Sequence, residues 1–420
     1  MKNQVFQPGN ILLPAREAMP KWSVVACDQY TSQPEYWDAV ARTVGDAPSA
    51  LHVTLPEIYL EGRDVDARID AINRTMRQYL ASGVLHELHG KYIYVERTQR
   101  DGVVRHGLMG VVDLECYDYR KGSQSLIRAT EGTVLERIPP RVRVRQNAAL
   151  ELPHIMLLID DAQRTVIEPL LEEKARFETA YDFPLMQDSG ALTGYIVDDA
   201  AQARIDAALR ALADPAAFHE KYHVPEDKGV LLFAVGDGNH SLATAKECYE
   251  QLKKTLSPEQ AQAHPARWAL VELTNVHDAA LQFEPIHRVV FDVDPAAMIA
   301  ALADYYTLSD EGQAFTCVFG GKKQTVHVKN PPTNLAVGTL QAFIDAYLAE
   351  HGGRVDYIHG EDVVESLARE PGNIGFLLPP MAKEELFPTV ILDGALPRKT
   401  FSMGHAYDKR FYLEARSIQE

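Results

Sequence analysis

Cysteine is scarce: Cys27, Cys116, Cys248 and Cys317 are the only four in 420 residues. They lie far apart, with no Cys-x-x-Cys pair, which argues against a disulfide framework or a zinc knuckle and fits a reducing cytoplasm. Long hydrophobic runs are missing too. No stretch of about 18 apolar residues occurs, and the N-terminal run Ile11 to Pro14 is too short for a signal-peptide core. A soluble chain without a membrane partner is therefore expected. Basic residues are in deficit, 42 against 59 acidic ones, for a formal net charge of −17. Such a field repels phosphate backbones and anionic membranes, so nucleic acid is disfavoured as a partner, whereas a small anion in a local pocket is not. Internal repeats, low-complexity segments, a G-x-S-x-G elbow, a Walker loop and a dinucleotide fingerprint are all lacking.

What remains is ordinary globular material, 46% hydrophobic and 24% charged, long enough for two or three domains. Apolar residues Ile69, Ile72, Met76 and Leu80 recur at helical spacing, and Gly83 then stops the stripe. KYIYVERT and VVRHGLMGVVDL, separated by the turn-prone 99–102, predict an antiparallel hairpin. Further on, HIMLLID reads as strand, VIEPLLEEKARFETAY as helix, GYIV as strand and DDAAQARIDAALRALA as helix. ALVELTNV, HRVVFDV, AFTCVFG, KQTVHVK and FYLEA read as strands, and Pro295–Tyr305, 340–349 and Glu361–Leu367 as helices. The alternation predicts an α+β (mixed α/β) layered fold. Three segments are expected: 1–150; 151–310, a core that holds the turn 236–241; and 311–420. The first two are able to form one domain.

The sharpest local signal is an apolar run, GVLLFAV, then Gly236, Asp237, Gly238, Asn239, His240 and Ser241, then an amphipathic helix. Glycines at 236 and 238 let backbone N–H groups turn inward, and the helix that follows offers its positive end to an anion. Ser241 is placed to bond the helix's own amides or a phosphate oxygen. A carboxylate beside a phosphate is repulsive unless a metal ion or a reacting hydroxyl lies between them, so Asp237 points to chemistry rather than binding alone. An ordinary helix cap with a surface histidine is the competing account.

Further segments stand in order along the chain: ACDQY at 26–30, RATEGTVLERI at 128–138, EPIHRVV at 284–290 and ALPRKTF at 395–401. With the turn VGDGNHSLATAK, they resemble the family known as domain of unknown function 1015, itself related to the ParB/sulfiredoxin fold and similar to free serine kinases. The resemblance implies a ParB/sulfiredoxin-like core with additional α/β segments and a small-molecule phosphotransferase acting on serine or phosphoserine. ATP, ADP or pyrophosphate would be the donor. It implies Glu131 as general base, with Thr133 beside it, and Asp237 near Mg²⁺ or the reacting hydroxyl. His240 would join the backbone of Gly236, Gly238, Asn239 and Ser241 around phosphate, and His287, Arg288 and Lys399 become further phosphate ligands. The sequence departs from the family at Thr130, Asn239 and Ser241, where the family has histidine, histidine and arginine. The turn thus lacks its own cation, which suits a nucleotide- or metabolite-binding regulatory protein without catalysis as the alternative.

Replacement cations are sought in Arg137, Arg141, Arg143 and Arg145. Strand-like alternation in RVRVR projects the last three from one face, toward an anion or toward acids such as Glu136 and Glu151. His219, Glu220 and His223 satisfy the HExxH pattern of a zinc metallopeptidase, although Val224 and Pro225 end the helix just there. Among the cysteines only Cys27, beside Asp28, invites attention as reactive, against the usual fate of a small buried apolar residue.

Overall fold

The computed structural model describes residues 5–132 and 138–419. The chain divides into two compact units, one formed by 1–281 with 405–420 and the other by 282–404. Both mix helices and sheets, as the alternating pattern predicts.

In the first unit a ten-stranded sheet runs, from one edge, Glu178–Pro184, Ala191–Ile196, Ile93–Thr98, Val104–Asp113, Trp268–Asn275, Met156–Ile159, Phe233–Asp237, Ile127–Ala129 and Tyr117–Asp118, with Phe6–Gln7 also paired to Val104–Asp113. Strand alternation sends Ile93, Val95, Met109 and Val111 into one core and Tyr92, Tyr94, Leu108 and Val112 into the other. Because both faces are covered, the central strands read as continuous apolar runs rather than as alternation. Helices Pro34–Val44 and Val65–Ala81 cover the first face, and Asp199–Leu212 and Asn239–Lys253 the second.

The final segment of the chain returns to this unit. Phe411–Tyr412 pairs antiparallel with Val24–Val25. Arg410 is buried against Glu272 and Glu414, and Arg416 donates to Glu151 at 2.7 Å. Guanidinium groups in these positions neutralise carboxylates that would otherwise be stranded in the interior.

The second unit is a six-stranded sheet, ordered Leu308–Ser309, Lys322–Val328, Gln313–Phe319, Ile374–Leu377, His287–Phe291 and Arg354–Ile358, with helices Pro295–Tyr305, Ala336–His351 and Glu361–Leu367. A two-stranded ribbon, Phe283–Pro285 with Phe401–Met403, also belongs to it. Among the described residues no helix is long and apolar enough to cross a membrane.

Two local expectations are corrected. RVRVR is not a strand but part of the helix Ile138–Arg145. Pro139 and Pro140 sit in its first turn, where a missing N–H costs nothing and φ is preset for helix. The segment VIEPLLEEKARFETAY is helical only over Glu168–Glu173 and a following 3₁₀ turn, then becomes the edge strand Glu178–Pro184. Its β-branched and aromatic residues pair with Ala191–Ile196 instead.

Candidate active site

Strand register brings the site together. Ile127–Ala129 runs parallel to Phe233–Asp237, with Ala129 opposite Val235, so Thr130 and Glu131 emerge beside Asp237. Met156–Ile159 runs antiparallel, with Met156 opposite Asp237, so the lead-in residue His154 arrives at the same end. Pairing of Phe411 with Val25 draws Lys409 and Tyr412 toward Cys27 and Asp28, and the Ala26 amide donates to the Arg410 carbonyl at 3.0 Å.

The turn itself depends on Gly238, whose φ of +77° is left-handed and whose Cβ, if present, would lie 2.9 Å from Ile155 Cα. Only glycine meets both demands at no steric cost. Gly238 N–H donates to Asp237 Oδ1 at 2.9 Å. As the N-cap of Asn239–Lys253, Gly238 has no side chain with which to cap the first-turn amides.

Asp237 Oδ2 accepts from Lys409 Nζ at 3.1 Å, both side chains being largely shielded. Burial alone would raise the Asp237 carboxyl, but Lys409, His154 and the Gly238 amide outweigh it and hold the group below its usual value. Asp237 is therefore an ionised carboxylate at neutral pH.

Asn239 works as a peg. Its Oδ1 accepts from Thr130 N–H at 3.2 Å, and its amide reaches the Thr130 hydroxyl at 3.4 Å. Thr130 Oγ1 in turn donates to the Val235 carbonyl at 2.6 Å. Thr130 and Asn239 thus stitch the turn to the neighbouring strand. Glu131, the next residue, is half-buried at this edge.

Ser241 and His154 form the second half of the site. Ser241 Oγ lies 2.9 Å from His154 Nε2, and His154 Nδ1 lies 2.8 Å from the Tyr412 hydroxyl. Tyr412 also accepts from the Cys27 amide at 3.2 Å, and Asp28 Oδ2 stands 3.7 Å from His154 Nε2. Burial, and next the nearby Asp28, push the Cys27 thiol up to about 12. The thiol stays protonated and is no nucleophile.

A cavity of about 150 Å³ opens on this group and is lined by Cys27, Glu57, Arg141, His154, Ser241 and Tyr412. A larger cavity of about 670 Å³, walled by Trp37, His52, Tyr59 and Tyr79, shares Thr54 and Leu55 with it but contains none of the turn residues. The smaller one holds the Ser241, His154 and Tyr412 side of the site; Asp237 and Lys409 are not among its lining residues.

The other expected ligands are dispersed. On their short helix Arg141 pairs with Glu57, Arg143 with Asp66 in solvent and Arg145 with Glu151. A rotation of about 100° per residue, rather than the 180° of a strand, separates their side chains, so of these three only Arg141 and Arg145 line the cavity. Arg137, Thr133 and Glu136 lie outside the described residues.

His287 and Arg288 belong to the second unit. His287 Nδ1 accepts from the Leu378 amide at 3.1 Å. Arg288 is fully buried and donates to the carbonyls of Ile286, Arg398 and Lys399 and to Gln341. Lys399 is exposed, with its carbonyl held by Arg288.

The HExxH reading is corrected. The helix ends at Tyr222, and His223 has a left-handed φ of +53° beyond it, so the two histidines do not share a helical face. His219 Nε2 meets the Lys228 carbonyl at 2.8 Å, and Glu220 points to solvent. Among the described residues no group of three His, Cys, Asp or Glu side chains is placed to hold a metal.

Sequence reasoning missed His154, Lys409 and Tyr412 and gave Asp28 no role. The signals were present but weak: a histidine opening HIMLLID, and a lysine just before FYLEA.

Residues 7–347 match the sequence pattern of a family described as "Protein of unknown function (DUF1015)". The chain belongs to the DUF1015 family. No curated protein matches this DUF1015 chain. Among solved structures it is similar to a free serine kinase in complex with AMP, at 10% identity and a TM-score of 0.36, covering 74% of this chain and 90% of that one. It is also similar to C-terminally truncated SbnI from Staphylococcus aureus, at 9% identity and 0.35, covering 70% and 83%. A conserved hypothetical protein from Pyrococcus furiosus stands at 10% and 0.35, covering 74% and 94%. These likenesses are distant.

Proposed function

We propose that the first unit is a ParB/sulfiredoxin-like core that binds a phosphate-bearing small molecule at the 236–241 turn and transfers its phosphoryl group. The carrying observation is the Lys409–Asp237 pair at the start of the helix Asn239–Lys253. First-turn amides, helix dipole and ammonium supply positive potential at one point, as phosphoryl transfer requires. Lys409 supplies the cation that the turn lacks where the family's arginine is replaced by Ser241. Arg141, paired with Glu57, lines the cavity that Ser241 also lines.

Asp237, held ionised by Lys409, fits one ligand position for Mg²⁺, which commonly takes one or two carboxylates and completes its shell with water and phosphate oxygens. Bound there, Mg²⁺ would neutralise phosphate charge. Glu131, at the same sheet edge, is the proposed base for the acceptor hydroxyl. Serine or phosphoserine as substrate, and ATP, ADP or pyrophosphate as donor, rest on the sequence resemblance.

The test is to incubate the protein with Mg²⁺, each donor and a panel of amino acids and phosphoamino acids, and to follow phosphate by phosphorus NMR. Transfer in the wild type that is lost in Asp237→Asn supports the reading; unchanged transfer in that variant contradicts the role of Asp237. Tight donor binding with no transfer across the panel would favour a regulatory nucleotide- or metabolite-binding protein. That second reading is supported by Asn239, whose side chain is committed to Thr130.

A further inference from the structure

His154, 8% exposed, sits with each ring nitrogen against a different hydroxyl. The Tyr412 oxygen already accepts from the Cys27 amide, and burial together with the neighbouring Cys27 keeps its hydroxyl protonated. If Nδ1 carries the imidazole proton and gives it to Tyr412, Nε2 is left as an acceptor aimed at Ser241 Oγ–H. Asp28 is near enough to Nε2 to stabilise an imidazolium. A serine and a base in hydrogen-bond reach, the base oriented by a third group, is the arrangement of an activated nucleophile. Here it opens on a cavity and stands one helical turn from the Asp237–Lys409 pair.

We propose that Ser241 is a covalent phosphate carrier activated by His154, an inference that rests on the phosphotransfer reading above. His154 Nε2 takes the Ser241 proton as Oγ bonds to the terminal phosphorus of the donor, a nucleoside polyphosphate or pyrophosphate. The bond from that phosphorus to the bridging oxygen breaks, and its electron pair leaves with the departing phosphate. In the second half an acceptor hydroxyl attacks the phosphoserine phosphorus and loses its proton to Glu131. Oγ departs and recovers its proton from His154. No other reactant is required.

The test mixes the whole chain with Mg²⁺ and terminally radiolabelled ATP, and separately with labelled pyrophosphate, without acceptor, followed by acid quench and peptide mapping. The expected result is label on the peptide containing residue 241, released as phosphoserine. Ser241→Ala should carry none, and His154→Gln should label roughly 100-fold more slowly, while thermal unfolding shows that both variants are folded. Donor binding and transfer to an acceptor with no label at 241, or transfer by Ser241→Ala at the wild-type rate, would overturn the covalent step and leave phosphotransfer standing. Absence of both donor binding and transfer would instead remove the phosphotransfer reading and this inference with it.

Discussion

Lys409 Nζ and Asp237 Oδ2 meet at 3.1 Å although 172 residues separate them in the chain. One lies on the turn that opens a helix, the other on the segment that returns after the entire second unit. Replacing Lys409 with methionine keeps much of the side-chain volume but strands the carboxylate. Donor binding should weaken by about 1.5–3 kcal/mol, the worth of a charged hydrogen bond, or roughly 10- to 100-fold in affinity. Calorimetric titration of the variant with ATP and Mg²⁺ checks this.

Acid should destabilise the first unit through identified groups. Asp237, Glu151 and Glu272 all titrate below their usual values: burial would raise each, but Lys409, Arg416 with Arg145, and Arg105 with Arg410 respectively prevail. A folded-state value below the unfolded one contributes stability above the unfolded pKa, about 4, and loses it as pH falls through the folded value. Urea midpoints should therefore hold steady from neutrality to about pH 5 and decline below it. Replacing Glu272 with glutamine should flatten that decline.

Gly238→Ala should destabilise the protein, opposite in sign to glycine-to-alanine changes at compatible positions. The left-handed φ costs about 1 kcal/mol or more, and the added methyl meets backbone at Ile155 Cα, which has no flexible end to move aside. A loss of roughly 1–3 kcal/mol in denaturant unfolding, with weakened donor binding, is expected.

Arg410 is the buried centre of the returning segment, contacting Glu272, Glu414 and the Pro153 carbonyl. Arg410→Met leaves two interior carboxylates without that partner and should cost about 3–5 kcal/mol. It should also loosen Lys409 and Tyr412, its neighbours in sequence. Unfolding curves and donor titration on the same sample measure both effects.

The sequence made the turn and most strands legible because their signals are local: paired glycines, an apolar run before them and a 3.6-residue stripe after them. Pro295–Tyr305 and Glu361–Leu367 fall where the periodicity puts them. The short arginine helix was misread because RVRVR alternates like a strand while two prolines at its start favour a helix. His154 and Tyr412 were only weakly signalled for another reason. Their roles arise from strand register and from antiparallel pairing between the first and last parts of the chain, neither of which leaves a local pattern. HExxH illustrates the converse, a local pattern that the backbone at His223 breaks.

In the proposed function the 236–241 turn, completed by Lys409, is a phosphate site. Its most direct test is calorimetric titration of the 420-residue chain with ATP, ADP and pyrophosphate in the presence of Mg²⁺. Saturable binding of at least one of them at a single site is expected, weakened roughly 10-fold or more in Lys409→Met. No saturable binding of any of the three, or equal binding by wild type and Lys409→Met, would contradict it.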